Sequence, residues 1–227
     1  MQKQVPGRTA NCQVAVFAAY ASGRGRTLVD RELYLPKSWT SDRERCRAAK
    51  MPDHRGFATK TELARIVVTR ALASPLPISW VTTDALSGQD WHVRRMLEDA
   101  GLGYVVAVPK AQQIKSLAGC WRIDQLIGDA PDDARERVSC GAGAKGPDLY
   151  DGAAAQLPAV PFFDADEPRH CRWVMARRSI SRTDDIAYYL AHAPTGTSVS
   201  ELVEVAGSRW AIEACFQSAP NECDLDR

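Results

Sequence analysis

Residues 78–108, ISWVTTDALSGQDWHVRRMLEDAGLGYVVAV, contain two short apolar segments separated by a helical one. The first segment ends at Asp84, and the second is Leu102–Val108. Ser87 and Asp90 have the spacing of a helix N-cap and its third position. The residues that repeat at helical spacing are Val93, Met96, Leu97 and Ala100. Strand, helix and strand in this order predict a right-handed crossover, and hence an α/β fold with Asp84 at the carboxyl edge of a sheet.

The chain before this crossover predicts a hairpin followed by a helix. Cys12–Ala21 and Leu28–Leu35 are rich in residues that favour strands, and the glycines of SGRGR between them suit a tight connection. Thr59 and Glu62 have capping-box spacing ahead of an apolar periodic segment, so we expect a helix to begin at Thr59.

The chain after the crossover changes character. Residues 110–168 are rich in Gly, Pro, Asp and Ala, which indicates an insertion of short strands and loops. Two clearer strands follow, Arg172–Ile180 and Ile186–Ala193. Ser198 then begins the final helical region, in which Glu213 lies beside an apolar stripe.

Composition excludes several classes of protein. The 227 residues carry a net charge of +1, and no apolar stretch is long enough to span a membrane. The N-terminus lacks the apolar run of a secretory signal, so we expect a cytoplasmic protein. Seven cysteines form an odd number without a CxxC pair, which favours reduced thiols over disulfides or a zinc site.

Arginines are unevenly distributed along the chain, in a way that suggests contact with DNA. Five of them lie in Arg169–Arg182, interleaved with apolar residues as in a strand with a phosphate-facing side. The arginines that we single out for DNA binding are Arg172, Arg177 and Arg178 in this segment and Arg24 and Arg26 in the predicted hairpin turn. A solvated strand face paired with Asp184 and Asp185 is the alternative.

Asp84 and Glu213 are the candidate metal ligands. Hard carboxylate oxygens on a strand end and a packed helix suit Mg²⁺, which also keeps positions open for phosphate and water. Arg209 precedes Glu213 by four residues, so it lies on the same helix face and could orient the carboxylate or bind a phosphate. The alternatives are that Asp84 only caps the turn after it and that Glu213 is an ordinary surface residue.

The segment GAGAKG, residues 141–146, matches a phosphate-binding pattern only in form. No strong predicted strand precedes it, and Pro147 stands where a helix should begin. A loop is therefore the better interpretation, with nucleotide binding kept as a separate hypothesis.

Four blocks of the sequence, in order, resemble bacterial insertion-sequence transposases with the DDE catalytic triad: GRTANCQVAVFAAYAS, RGRTLVDRELYLPKSWTSDRERC, WVTTD and RWAIEACFQSAPNECDLD. The resemblance implies a ribonuclease-H-like mixed sheet flanked by helices, with a β-rich insertion before the last helices. The core would span residues 1–109 and 196–227, and the insertion 110–195.

The same resemblance implies a chemistry and a set of site residues. Asp84 would be the second acid of the triad, Glu213 the third, and Arg209 the arginine of the Arg-x-x-x-Glu signature. Mg²⁺ or Mn²⁺ would be the cofactor, for cleavage and strand transfer at the ends of the element. The partners would be those DNA ends and the target DNA, with the protein on the nucleoid when bound and a homo-oligomer in the full-length parent.

The sequence also departs from the family pattern. The first acid of the triad belongs to a strand upstream of Cys12–Ala21, and the first aspartate here is Asp30. Pro220 stands where the signature has lysine seven residues after the glutamate. We therefore expect a catalytic domain truncated at both ends that does not cleave DNA alone. A non-catalytic DNA-binding remnant of a decayed element is the alternative.

Overall fold

The computed structural model describes residues 2–5, 8–11, 14–116, 119–129, 135–143, 146–158, 169–180, 184–209, 212–213 and 215–216. The chain divides into two compact units. One comprises Met1–Leu76 with Cys215–Arg227, and the other comprises Pro77–Ala214.

The first unit is built on a β-hairpin. Its elements are β1 (Gln2–Val5), β2 (Arg8–Asn11), β3 (Val14–Ser22), β4 (Gly25–Tyr34), α1 (Lys37–Thr40), α2 (Arg43–Ala48) and α3 (Lys60–Leu72). Strands β1 and β2 pair with each other, and β3 pairs with β4 through the turn at Gly23–Arg24. The predicted hairpin and its glycine turn are confirmed.

Helix α3 begins where the sequence predicts. The Thr59 hydroxyl accepts a hydrogen bond from the Glu62 N–H at 3.2 Å, and the Glu62 carboxylate accepts one from the Thr59 N–H at 2.7 Å. This capping box satisfies backbone donors that the helix itself leaves unpaired. The helix buries Leu63, Ala64 and Val67 and packs against the β3–β4 hairpin.

The second unit contains a mixed sheet. Its elements are β5 (Trp80–Thr83), α4 (Ala85–Gly88), α5 (Trp91–Asp99), β6 (Gly103–Val108), β7 (Gln113–Ser116), β8 (Gly119–Arg122), α6 (Ile123–Gly128), β9 (Arg135–Gly143), β10 (Gly146–Gln156), β11 (His170–Ser179), β12 (Ile186–Pro194) and α7 (Val199–Ser208). The strand order is β5-β6-β12-β11-β10-β9, with β5 and β6 parallel and the other neighbours antiparallel. The predicted crossover and the α/β, ribonuclease-H-like fold class are confirmed.

Helices cover both faces of this sheet. Helix α7 buries Leu202, Val203 and Ala206 against one face, where the central strands contribute Val105 and Met175. On the opposite face, Ile123 and Ile127 of α6 pack against a second group of apolar strand residues that includes Val174. Because each strand alternates its side chains between the two faces, both faces are apolar at the centre of the sheet.

Three expectations need correction or remain open. The helix predicted to start at Ser87 is two helices, with Asp84 capping α4 and Asp90 capping α5. The region 110–168 was expected to hold short strands, but β9 and β10 have 9 and 11 residues and join the same sheet as β6. The domain boundaries at 110 and 195 remain predictions.

None of the described helices combines the length and the apolar character needed to cross a bilayer.

Candidate functional site

Asp84 lies directly after β5, at the carboxyl end of the strand that runs parallel to β6. One of its carboxylate oxygens accepts a hydrogen bond from the backbone N–H of Ser87 at 2.9 Å. The residue is exposed, and no cationic side chain among the described residues pairs with it. The capping role is therefore real, but it engages one oxygen and leaves the other available to a ligand.

The turn that carries Asp84 is fixed by close backbone packing. A Cβ added at Gly88 would lie 2.0 Å from the carbonyl oxygen of Ala107 on β6, so only glycine allows α4 to pack this closely. The guanidinium of Arg94 donates to the Gly88 carbonyl, and the Asp90 N–H donates to the Ser87 carbonyl at 3.1 Å. These contacts hold Asp84 at the edge of the sheet.

Glu213 is helical, as the sequence predicts, and it pairs with Arg209. Ile212 and Glu213 have helical backbone, as do Cys215 and Phe216. The Arg209 Nη1 donates to the Glu213 Oε1 at 3.2 Å, with side-chain exposures of 26% and 41%. A pair this exposed contributes little stability, so its main consequence is to orient the carboxylate.

The chemistry of these two residues suits a divalent metal. Among the described residues, no group of three or more His, Cys, Asp or Glu side chains is placed to hold an ion. Mg²⁺ is commonly held by only one or two carboxylates, together with substrate phosphates and water. Asp84 and Glu213 each offer a carboxylate of the kind such an ion accepts.

The predicted DNA-binding arginines differ in their environments. Arg24 and Arg26 are exposed in the β3–β4 hairpin, where they are accessible to a ligand. Arg172 forms an ion pair with Glu98 at 2.9 Å, and Arg178 pairs with Asp151 at 3.2 Å. Arg177 is only 6% exposed. Arg172 and Arg178 are therefore engaged within the protein, by Glu98 and Asp151, and Arg177 is buried.

Glu98, Tyr104, Arg172 and His192 form a polar cluster on the α5 side of the sheet. The Glu98 carboxylate accepts hydrogen bonds from the Tyr104 hydroxyl at 2.8 Å and from the Arg172 Nη2 at 2.9 Å. Burial opposes ionisation of Glu98, but these two hydrogen bonds outweigh it and hold its pKa below the ordinary value. For His192, burial disfavours the charged imidazolium and so lowers the pKa. The His192 ring stacks against Tyr104. The cluster is satisfied internally, which indicates a structural role.

Trp91 and His92 are prominent surface residues that the sequence analysis did not single out. Trp91 is the first residue of α5 and is 60% exposed, and its ring stacks on that of His92. The helical periodicity of α5 could have identified Trp91 as a surface residue. Val93 and Leu97 face the core, so position 91 points away from the apolar side and places a large aromatic ring in solvent.

The described part of the GAGAKG segment is strand rather than the expected loop, since residues 141–143 end β9 and Gly146 begins β10. Strand β9 ends at Gly143, β10 begins at Gly146, and the two pair antiparallel. A phosphate-binding loop of the type considered connects a strand to a helix, so this segment lacks the required context.

Comparison with known families finds a match to part of the chain. Residues 3–116, half of the chain, match the model of a family described as DDE superfamily endonuclease. Asp84 lies within the matched residues, whereas Glu213 and Arg209 lie beyond them. A search among curated proteins finds no match.

Proposed function

Because the chain belongs to the DDE superfamily of endonucleases, we propose that it is the catalytic domain of an insertion-sequence transposase, in which Asp84 and Glu213 hold Mg²⁺ or Mn²⁺. The observation that carries this proposal is the position of Asp84. Its exposed carboxylate ends a parallel strand inside the family match, and backbone contacts fix it there. The carboxyl ends of parallel strands are where α/β folds place their ligands.

Asp84, Glu213 and Arg209 would have different roles at a DNA phosphate. A bound divalent metal would stabilise the negative charge that develops on the phosphate during cleavage. Asp84 would offer the oxygen that its capping bond leaves open, and Glu213 would offer a second carboxylate. Arg209 would keep the Glu213 carboxylate in one orientation through their ion pair.

DNA would be the substrate, and exposed arginines would contribute to its binding. Arg24 and Arg26 in the β3–β4 turn are the best placed of the predicted residues, since both are exposed. Contacts of this kind with phosphates release counterions, so the affinity for DNA should fall steeply as salt rises. We place this activity in the cytoplasm on the nucleoid, at the ends of an insertion element, and in a homo-oligomer.

The test compares Asp84→Asn with Asp42→Asn. Both aspartates are exposed N-caps that accept a hydrogen bond from the backbone N–H three residues later at 2.9 Å. Asparagine caps helices about as well as aspartate, so both substitutions preserve the fold while removing one charge. Mn²⁺ binding in the presence of duplex DNA is measured by electron paramagnetic resonance, and nicking of supercoiled plasmid is measured in parallel.

We expect Asp84→Asn to weaken Mn²⁺ binding at least about tenfold, since even outer-shell changes at metal sites have effects of that size. Asp42→Asn should bind Mn²⁺ like the wild type. Equal Mn²⁺ affinity in the two variants would refute the assignment of Asp84. The expectation that the isolated chain does not cleave DNA remains a prediction, and nicking by the wild type that Asp84→Asn abolishes would contradict it.

A further inference from the structure

Trp91 is an exposed aromatic side chain without an evident role in folding. It is 60% exposed, more than any other large apolar side chain that the structure describes. The core of its helix is made by Val93 and Leu97, which are fully buried. The Trp91 ring therefore takes no part in the core of α5, and it is accessible to a ligand.

The Trp91 ring is held in place by its neighbours. Its centroid lies 3.8 Å from that of His92, with 29° between the ring planes. His92 is in turn fixed by Asp90, whose Oδ1 lies 3.0 Å from the His92 Nδ1. His92 covers one face of the indole, and the 60% exposure of Trp91 leaves much of the ring accessible to a flat ligand. A ring that is already ordered loses little entropy on binding.

Trp91 is tied to Asp84 by a short, rigid connection. The four residues of α4 advance the chain by only about 6 Å. The Asp90 N–H donates to the Ser87 carbonyl, and Arg94 donates to the carbonyl of Gly88, so α5 is fastened to the end of α4. The aromatic ring and the exposed carboxylate are therefore parts of one structural unit.

Cationic side chains follow Trp91 along α5. Arg94 and Arg95 come three and four residues later, which is the spacing of neighbours on a helix surface. Arg95 is 57% exposed, and its partner Asp99 is 60% exposed, at 2.9 Å. An ion pair this exposed contributes little stability, so a phosphate group can take the place of Asp99.

We propose that Trp91, backed by His92, is a stacking platform for an unpaired nucleobase of the DNA strand that approaches Asp84. This inference rests on the proposed function and adds to it a specific contact with the substrate. A flat open ring with a cation nearby matches a nucleotide, which offers a π-face and a phosphate. Stacking of this kind tolerates any base, so the platform would position the strand without reading its sequence.

The experiment measures stacking directly. The probe is a single-stranded oligonucleotide of thymines with one central 2-aminopurine, whose fluorescence falls when the base stacks on an indole. Anisotropy of an end label measures binding in the same sample. The variants are Trp91→Ala, Trp91→Phe and, as the matched control, Trp121→Ala, which removes another exposed tryptophan of the same unit at 37% exposure.

We expect Trp91→Ala to abolish the quenching and weaken binding about tenfold, which is the scale for loss of one stacked base. Trp91→Phe should recover most of the affinity, because phenylalanine retains a flat ring. Trp121→Ala should behave like the wild type. Since Trp91 lies outside the core, both Trp91 variants should melt at the wild-type temperature.

The outcomes separate this inference from the proposed function. If Trp91→Ala binds and quenches like the wild type while Asp84→Asn loses Mn²⁺ affinity, the platform is refuted and the proposed function stands. If the wild type does not bind DNA at all, both are refuted. If Trp91→Ala leaves the quenching intact but changes the sedimentation coefficient, the ring serves contact between copies of the chain, and the platform is again refuted.

Discussion

Glu32 and Asp84 are two carboxylates in different units that are held by opposite means. The Glu32 side chain is 6% exposed and accepts hydrogen bonds from Arg55 and Arg70. Asp84 is exposed and accepts one hydrogen bond from a backbone N–H, in a turn positioned by the contact of Gly88 with β6. Glu32 is thus positioned by ion pairs with arginines, whereas Asp84 is positioned by backbone contacts in the turn around it.

This difference separates a structural acid from a candidate ligand. Two arginines compensate the charge of Glu32, and Arg70 also donates to Asp30 at 2.8 and 2.9 Å, so the group is satisfied within the protein. An acid compensated in this way has no free capacity for a metal. Asp84 keeps an oxygen accessible because its surroundings use backbone contacts in place of side-chain cations.

The largest expected effect comes from disrupting the packing of α4 against β6, which positions Asp84. Gly88→Ala places a Cβ 2.0 Å from the carbonyl oxygen of Ala107, so α4 must separate from β6. We expect a loss of about 3 kcal/mol in the free energy of unfolding, the upper end for overpacking. Denaturant unfolding measures it. Gly128→Ala is the control, because Gly128 also ends a short helix but a Cβ there meets nothing within 4 Å. Equal stability of the two variants would show that the packing of α4 against β6 does not require glycine at position 88.

The next largest effect is expected from neutralising Glu32, which forms ion pairs with Arg55 and Arg70 within the first unit. Glu32→Gln leaves Arg55 and Arg70 facing a neutral group, and we expect a loss of about 2 kcal/mol, below the usual cost because both arginines are partly exposed. Hydrogen exchange of α3 and β4 measures this loss within the unit. Asp30→Asn, at a side chain that is 25% exposed and shares Arg70, should cost less. A larger loss for Asp30→Asn would reverse the proposed order.

The smallest expected effect is a dependence of the stability of the first unit on pH. Hydrogen bonds from Arg55 and then Arg70 hold the pKa of Glu32 below its ordinary value. A lowered folded pKa means that the stabilisation is complete above the unfolded pKa of about 4.3 and is lost as the pH falls through the folded pKa. The protection factors of the α3 amides, which are corrected for the intrinsic pH dependence of exchange, should therefore fall in acid. Glu32→Gln should remove part of this response, leaving the share of Asp30, whose pKa Arg70 also lowers. An unchanged acid response in Glu32→Gln would show that Glu32 is not its source.

Sequence patterns located much of the fold and part of the candidate site. The capping box at Thr59, the glycine turn after Ser22 and the crossover around Asp84 were found because each depends on residues close together in the chain. The position of Asp84 at a strand end followed from the same local signals. The start of the following helix was wrong, because Asp84 and Asp90 can both cap a helix and spacing alone does not choose between them.

The roles of the arginines in β11 could not be predicted in the same way. The sequence left two interpretations open, contact with phosphate or pairing with Asp184 and Asp185, which are near in the chain. The structure pairs Arg172 with Glu98 and Arg178 with Asp151, which are 74 and 27 residues away. These partners depend on the antiparallel pairing of β11 with β10 and on the position of α5 over the sheet, which no local pattern records.

The sequence by itself determined the crossover, the hairpin, the helix caps and the acid at the end of β5, since periodicity and capping act over a few residues. Tertiary structure alone decided that β12 pairs with β6, that Glu32 is enclosed by Arg55 and Arg70, and that Asp84 and Trp91 remain exposed. The physical reason is that burial and charge compensation depend on which distant residues the fold brings together.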